Sequence, residues 1–219
     1  MLEIKNKTKG ILNFFLALFF PERCLSCKRA DTSLCPDCLK KLSPAEETPA
    51  RYLHVCFSYK DPRVAKAIHL LKFRGRASLA EALAVPLSDL ALSIAEETLM
   101  TPSLIVLVPV PSNTKRVRDR GFDQASLLAS LVAEISGIHL VHALKRVKNA
   151  RPQTELSRRE RLENMRGVFA IVPNQMTFLR GKTVILIDDV MTTGATMREA
   201  RKVLLESGVR SVHGITLAH

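Results

Sequence analysis

The chain has 219 residues, 47% of them apolar, and carries 33 Lys and Arg against 21 Asp and Glu, a formal charge of +12. This composition suits a globular domain with a small extra module, and it excludes a low-complexity or fibrous chain. The charge favours acidic ligands or nucleic acid without choosing between them.

Lys5, Lys7 and Lys9 precede an apolar run over 11–20, which has the outline of a secretory signal. The outline breaks at Pro21-Glu22-Arg23, which offers no small-residue cleavage site, and the run is too short to span a bilayer. It predicts a short helix packed on the protein. Interfacial membrane contact through Phe14, Phe15, Phe19 and Phe20 is the alternative. No transmembrane segment and a cytoplasmic location are expected.

Cys24, Cys27, Cys35 and Cys38 follow as two C-x₂-C pairs. Each pair turns tightly enough to aim two thiolates at one ion, so a Cys₄ zinc site is expected, structural because no position remains for an activated water. Disulfides or a redox pair are the alternatives. Cys56, beside Val55 and Phe57, reads as a small core residue. The polar stretch 43–50, with Pro44 and Pro49, reads as a linker. Residues 1–50 are therefore expected to form an N-terminal helix with the zinc module, and residues 51–219 the main domain.

Residues 51–59 alternate in part and suggest an edge strand, and 63–72 place Val64, Ala67, Ile68 and Leu71 at helical spacing. A second helical stretch, 78–97, is expected to be interrupted at Pro86. Residues 104–108 form a wholly apolar strand that ends in Pro109-Val110-Pro111. Lys115, Arg116, Arg118 and Arg120 follow it, a cluster that could contact a ligand or nucleic acid, or simply be solvated. More basic residues gather between Lys145 and Arg166. A helix is predicted from Gly121 to Ser136 with Asp123 or Gln124 as its cap, and Val168 to Val172 is another strand candidate. The six histidines show no metal-binding spacing and read as structural or exposed.

The segment from Val184 to Thr196 carries the most chemistry. Val184 to Ile187 suit a strand buried on both faces, and ligands bind where parallel strands end. Asp188 and Asp189 stand at that end, able to accept hydrogen bonds from vicinal sugar hydroxyls or from waters on Mg²⁺. Thr192, Thr193, Gly194, Ala195 and Thr196 then form a small, hydroxyl-rich loop ahead of a helix predicted over 197–207, with Gly208 as its stop. Neither common nucleotide fingerprint fits. Strands alternating with helices predict an α/β fold with a parallel sheet.

This segment resembles the 5-phosphoribosyl 1-pyrophosphate (PRPP) motif of type I phosphoribosyltransferases. The resemblance implies that Asp188 and Asp189 hold the ribose hydroxyls, and that the loop from Thr192 through Thr193, Gly194 and Ala195 to Thr196 holds the 5-phosphate, with Met191 among the PRPP-binding residues. It further implies that Lys115, Arg116, Arg118 and Arg120 neutralise the pyrophosphate or form a mobile cover over it. The four cysteines, Lys72-Phe73-Arg74-Gly75, Val108-Pro109-Val110-Pro111, Arg120-Gly121-Phe122-Asp123-Gln124-Ala125, the series Arg146, Gln153, Arg158, Asn164 and the PRPP motif together resemble the ComF family. That resemblance implies a type I phosphoribosyltransferase-like sheet behind a Cys₄ zinc finger, with Mg²⁺ accompanying PRPP. It also implies a link to natural competence and DNA uptake or use, with single-stranded DNA and import proteins such as a competence helicase as partners. The carboxyl half is similar to the transferase domain of amidophosphoribosyltransferases. Met1-Leu2-Glu3 offers no nucleophilic cysteine, so glutamine-dependent amide transfer is not expected. Asp123 stands where many family members carry Asn, a change that leaves a helix cap intact. Three functions follow: a PRPP-binding protein of DNA import, an active phosphoribosyltransferase with an unidentified acceptor, or a PRPP or nucleotide sensor.

Overall fold

The computed structural model describes residues 22–46, 48, 50–74, 77–98, 102–148, 160, 163 and 165–219, without the side chains of Arg74, Ala77, Pro102 and Arg116. The run over 11–20, Gly75, Gln153, Arg158 and Asn164 lie outside the described residues. In chain order the helices are α1 (Pro36–Leu39), α2 (Pro62–Arg74), α3 (Ala77–Glu97), α4 (Thr114–Arg120), α5 (Gln124–Ser136), α6 (Met176–Leu179) and α7 (Ala195–Glu206). The strands are β1 (Leu53–Phe57), β2 (Ile105–Pro109), β3 (His139–Leu140), β4 (Leu144–Arg146), β5 (Phe169–Ile171), β6 (Thr183–Val190) and β7 (Ser211–Ala218).

Five strands form a parallel sheet in the order β1-β7-β6-β2-β3. β6 sits in the middle, which explains why Val184 to Ile187 show no polar alternation. Val184 and Leu186 face the layer that contains Met197, Ala200 and Leu204 of α7. Ile185 and Ile187 face the layer of Leu83 and Leu87 from α3 and Leu128 and Val132 from α5. From β6 the chain continues outward to β7, and from β2 it continues the other way to β3. The crevice between the β2 and β6 ends is thus a switch point of the sheet, where parallel α/β folds bind ligands. Pro109 is tolerated in β2 because β3 pairs only with Val106 and Leu107, leaving no partner for a donor at position 109 on that side.

Several expectations need correction. α3 runs through Pro86 without interruption. A proline inside a helix costs about 3 kcal/mol, whereas each fully buried leucine contributes roughly 1.5–3 kcal/mol, and α3 buries Leu79, Leu83 and Leu87 together with Ile94. Its apolar length is also enough to cross a bilayer, but its buried residues pack against the sheet. β5 does not join the parallel sheet: it pairs antiparallel with β4, with Arg146 opposite Phe169. This two-stranded ribbon packs through Leu144 and Phe169 on the α7 side of the core. β7 and the short β3 escape a reading by pattern, since Ser211 to Ala218 is broken up by His213 and Gly214.

The cysteine segment shares the core of the body, because Leu25, Leu34 and Leu42 lie in one buried cluster with Ile68 and Leu71 of α2 and Leu79 of α3. Residues 43–45 run along the outer edge of β1, where Pro44 bridges Phe57 and the Ser58 N–H donates to the Ser43 carbonyl at 2.9 Å. That contact covers part of an edge that would otherwise be open to pairing. At the start of α2, Arg63 donates to the Lys41 carbonyl at 2.8 Å and pairs with Asp61 at 2.6 Å. The Arg63 guanidinium and the N–H groups of Ser43 and Arg63 outweigh burial and hold the Asp61 carboxyl well below its ordinary range.

Gly214 is fixed by packing. A Cβ there would meet Leu53 Cδ2 at 2.7 Å and Met197 at 3.4 Å, both on buried side chains. Gly214→Ala is expected to cost about 1–2 kcal/mol, a fall in Tm of roughly 2–8 °C; an unchanged melting curve would show that Leu53 can yield.

Candidate functional site

At the β2–β6 crevice lies a cavity of about 430 Å³. Burial in β6 gives way after Ile187, and Asp188 to Val190 are half-buried although still in the strand. Alternation sends the two carboxylates to opposite faces. Asp189 accepts the Val190 N–H at 2.7 Å and pairs with Lys72 Nζ at 2.9 Å, with side chains 15% and 24% exposed. Asp188 accepts the Asp189 N–H at 2.9 Å. Burial and the neighbouring Asp189 push the Asp188 carboxyl well above its ordinary range, against the opposing pull of the Asp189 N–H and Lys72.

The loop after β6 turns at Gly194, whose φ of +71° starts α7 without offering a side-chain cap. The first N–H groups of α7 are therefore left to the cavity, at the positive end of a twelve-residue helix. Met191 is buried, and a Cβ on Gly194 would lie 3.5 Å from its Sδ, so Met191 forms the floor of this turn.

The opposite wall is the loop after β2. Asp123 caps α5 by accepting the Ala125 N–H at 3.0 Å and the Ser126 N–H at 3.3 Å, and it also accepts the Ser112 N–H at 3.0 Å and the Ser112 hydroxyl at 3.2 Å. One carboxylate thus fixes both the helix start and the loop over it. Asn113 caps α4 through the Lys115 N–H at 2.9 Å. Arg146, from β4, reaches the same cavity, donates to the Pro111 carbonyl at 3.2 Å and lies over the Phe169 ring. The ribbon is tied to α7 by Glu199, buried, which accepts the Gly167 N–H at 2.6 Å.

Asp188, Asp189, Met191, Thr192, Thr193, Gly194, Ala195 and Thr196 all line this cavity, as do Lys115 and Arg120. Arg118 is exposed and does not line it. The Arg116 side chain lies outside those described. Sequence reasoning missed Lys72, Ser112, Asn113, Asp119 and Arg146 as cavity residues. Lys72 and Arg146 stand in segments whose patterns were visible, but only the fold brings α2 and β4 to the end of β6. The result is a pocket of mixed charge, Lys72, Lys115, Arg120 and Arg146 against Asp119, Asp188 and Asp189.

The four cysteines converge separately. The sulfurs of Cys24, Cys27, Cys35 and Cys38 lie within 4.8 Å of one another and could hold a metal ion, and all are free thiols. Although burial opposes it, N–H groups of Cys35, Cys27 and Ser26 bring the Cys24 thiol down to about 6. Thiolates this close repel one another unless a cation lies among them.

The phosphoribosyl transferase domain family matches residues 77–219. The chain is 32% identical over 200 residues to the DNA utilization protein YhgH of Salmonella typhimurium, covering 86% of this chain and 85% of that protein. It is 31% identical over 198 residues to the competence protein ComFC of Bacillus subtilis, covering 89% and 76%. Competence protein F of Haemophilus influenzae is 36% identical over 109 residues, covering 48% and 46%. Among solved structures, the allosteric regulatory enzyme of purine biosynthesis superposes with a TM-score of 0.37 at 22% identity, covering 64% of this chain and 26% of that one, too loosely to carry an argument.

A carboxyl whose pKa is raised on folding costs stability as pH climbs from the unfolded value, near 4, through the folded one. Asp188→Asn is therefore expected to raise the Tm of the ligand-free protein at pH 8 and to change it little at pH 4.5; a lower Tm at pH 8 would contradict the burial argument.

Proposed function

Because the chain belongs to the ComF family and carries its phosphoribosyl transferase domain, we propose that the crevice binds PRPP with Mg²⁺ and that the protein serves the handling of incoming single-stranded DNA. What carries the first part is the joint placement of Asp188, Asp189 and the Thr192–Thr196 loop around one cavity. The α7 N-terminus and the hydroxyls of Thr192, Thr193 and Thr196 suit a 5-phosphate. Asp188 and Asp189 are acceptors for ribose hydroxyls, and Lys115 and Arg120 from the β2 side provide charge for pyrophosphate. If transfer to an acceptor follows, the chain contributes positioning and charge stabilisation. The second part rests on relatives named for competence and DNA utilisation, and on a charge of +12 that suits a polyanion. Contact with a competence helicase belongs to the same proposal.

Zinc is the ion that suits the cysteine cluster. A tetrahedral site with Zn–S bonds near 2.3 Å has sulfurs about 3.8 Å apart, and Cys24 to Cys35 is 3.8 Å while Cys27 to Cys35 is 3.6 Å. When bound, the ion neutralises the thiolates and ties the turns around Cys24 and Cys35 together. We assign this module to residues 1–50, the transferase-like body to 51–219, and the protein to the reducing cytoplasm, where unpaired thiols persist.

Calorimetry with PRPP and Mg²⁺ tests the pocket: the wild type is expected to bind at one site per chain, and Asp188→Ala/Asp189→Ala to lose the heat. Equal heats would reject the assignment. Metal analysis of freshly purified, reduced protein is expected to find about one zinc per chain, and chelation to lower the Tm, because Leu25, Leu34 and Leu42 share the body's core. Metal-free protein with an unchanged Tm would remove the zinc site.

A further inference from the structure

Phe73 follows Lys72 on α2 and is 63% exposed, the most exposed of the large apolar side chains among the described residues. A single exposed phenylalanine is ordinary in a folded protein. This ring has a different setting. The Arg120 guanidinium carbon lies 5.4 Å from its centroid, and the His69 ring, one helical turn back, lies 4.7 Å away at a tilt of 39°. Arg120 is itself held by the Gln124 side chain at 2.7 Å, and Gln124 is buried. Arg120 and Lys72 both line the cavity, and Lys72 is the partner of Asp189. The exposed ring therefore sits at the rim of the pocket, beside the cation that meets a proposed ribose-binding carboxylate. It also precedes residues 77–219, the range matched by the transferase family.

A π-face next to a fixed guanidinium is the chemistry that holds nucleobases: bases stack on aromatic rings and on arginine planes with little regard to sequence. We propose that Phe73, backed by Arg120 and His69, is a stacking site for the heterocyclic base of a nucleotide whose ribose and 5-phosphate occupy the crevice. The proposal rests on the ribose-phosphate assignment and deepens it, because it makes the ligand class base-bearing and sets ammonia and aliphatic amines apart. The base of a mononucleotide and the terminal base of a single strand present the same planar heterocycle.

Binding of ribose 5-phosphate, adenosine 5′-monophosphate, and a 5′-phosphorylated single-stranded oligonucleotide with and without its terminal base tests it on the full chain. Wild type, Phe73→Ala and Phe73→Trp are compared. Phe73→Ala is expected to leave ribose 5-phosphate affinity within about twofold and to weaken a base-bearing probe by roughly five- to a hundredfold, the range of base–aromatic stacking. Phe73→Trp is expected to retain that affinity. A loss confined to adenosine 5′-monophosphate assigns the stack to a small molecule, and a loss confined to the base-bearing oligonucleotide assigns it to DNA. Equal affinity of wild type and Phe73→Ala for every base-bearing probe, with ribose 5-phosphate still bound, overturns the stacking site alone. A wild type that binds no ribose 5-phosphate overturns the pocket assignment and this proposal with it.

Discussion

The pocket depends on where burial stops along β6. Five residues from Thr183 are buried on both faces and three from Asp188 are half-buried, although the strand is continuous to Val190. The sheet's pairing keeps the backbone extended past the last apolar residue, so both aspartates project from a rigid ladder. The Asp188 position is registered against Thr216 and that of Val190 against Ala218 in β7. A carboxylate carried on a strand held by its neighbours gains precision that one on a free loop lacks. The loop that follows can then be short, because α7 starts at Ala195 and points its N-terminal end at the same crevice.

Charge divides the two aspartates. Asp189 has an ammonium partner at 2.9 Å, while Asp188 has a backbone donor and a like-charged neighbour. The Asp188 carboxylate therefore costs the ligand-free protein stability at neutral pH, and Lys72 offsets only part of that cost. Residues that lower stability in this way persist where a ligand uses them. The same logic applies to the opposite wall, where Asp123 spends its acceptor capacity on Ser112, Ala125 and Ser126. Its carboxylate is internal scaffolding that positions the loop over 110–113, whose Val110 N–H donates to the Ile187 carbonyl of β6.

What could be read from the chain was what is local. β6, its two aspartates, the turn at Gly194 and α7 are consecutive, so residue type and order reveal them together. The C-x₂-C pairs are local in the same sense, and the structure closes the two pairs onto one another. Lys72 and Arg146 were opaque because α2 and β4 reach the cavity only through the sheet order β1-β7-β6-β2-β3 and the ribbon over it. β5 shows the matching error: Phe169 to Ile171 has the composition of a sheet strand, but its partner is the short, basic β4. Pro86 shows the third kind, where a local rule worth about 3 kcal/mol is outweighed by the leucines that α3 buries.

α2 joins the two sites. Its first turn is fixed to the cysteine segment through Arg63 and the Lys41 carbonyl, its middle buries Ala67, Ile68 and Leu71 in the core shared with Leu34 and Leu42, and its last turn carries Lys72 to Asp189. Thirteen residues of helix span about 20 Å. A helix of that length held at both ends and along its middle transmits position, so the placement of Lys72 depends on how the cysteine segment packs. The mouth of the pocket is therefore built in part by residues outside the matched transferase range of 77–219. A fragment restricted to that range would keep Asp188, Asp189 and the threonine loop while losing the cation that meets Asp189, and it would leave Ile105, Leu107 and their layer without the α2 side of their core.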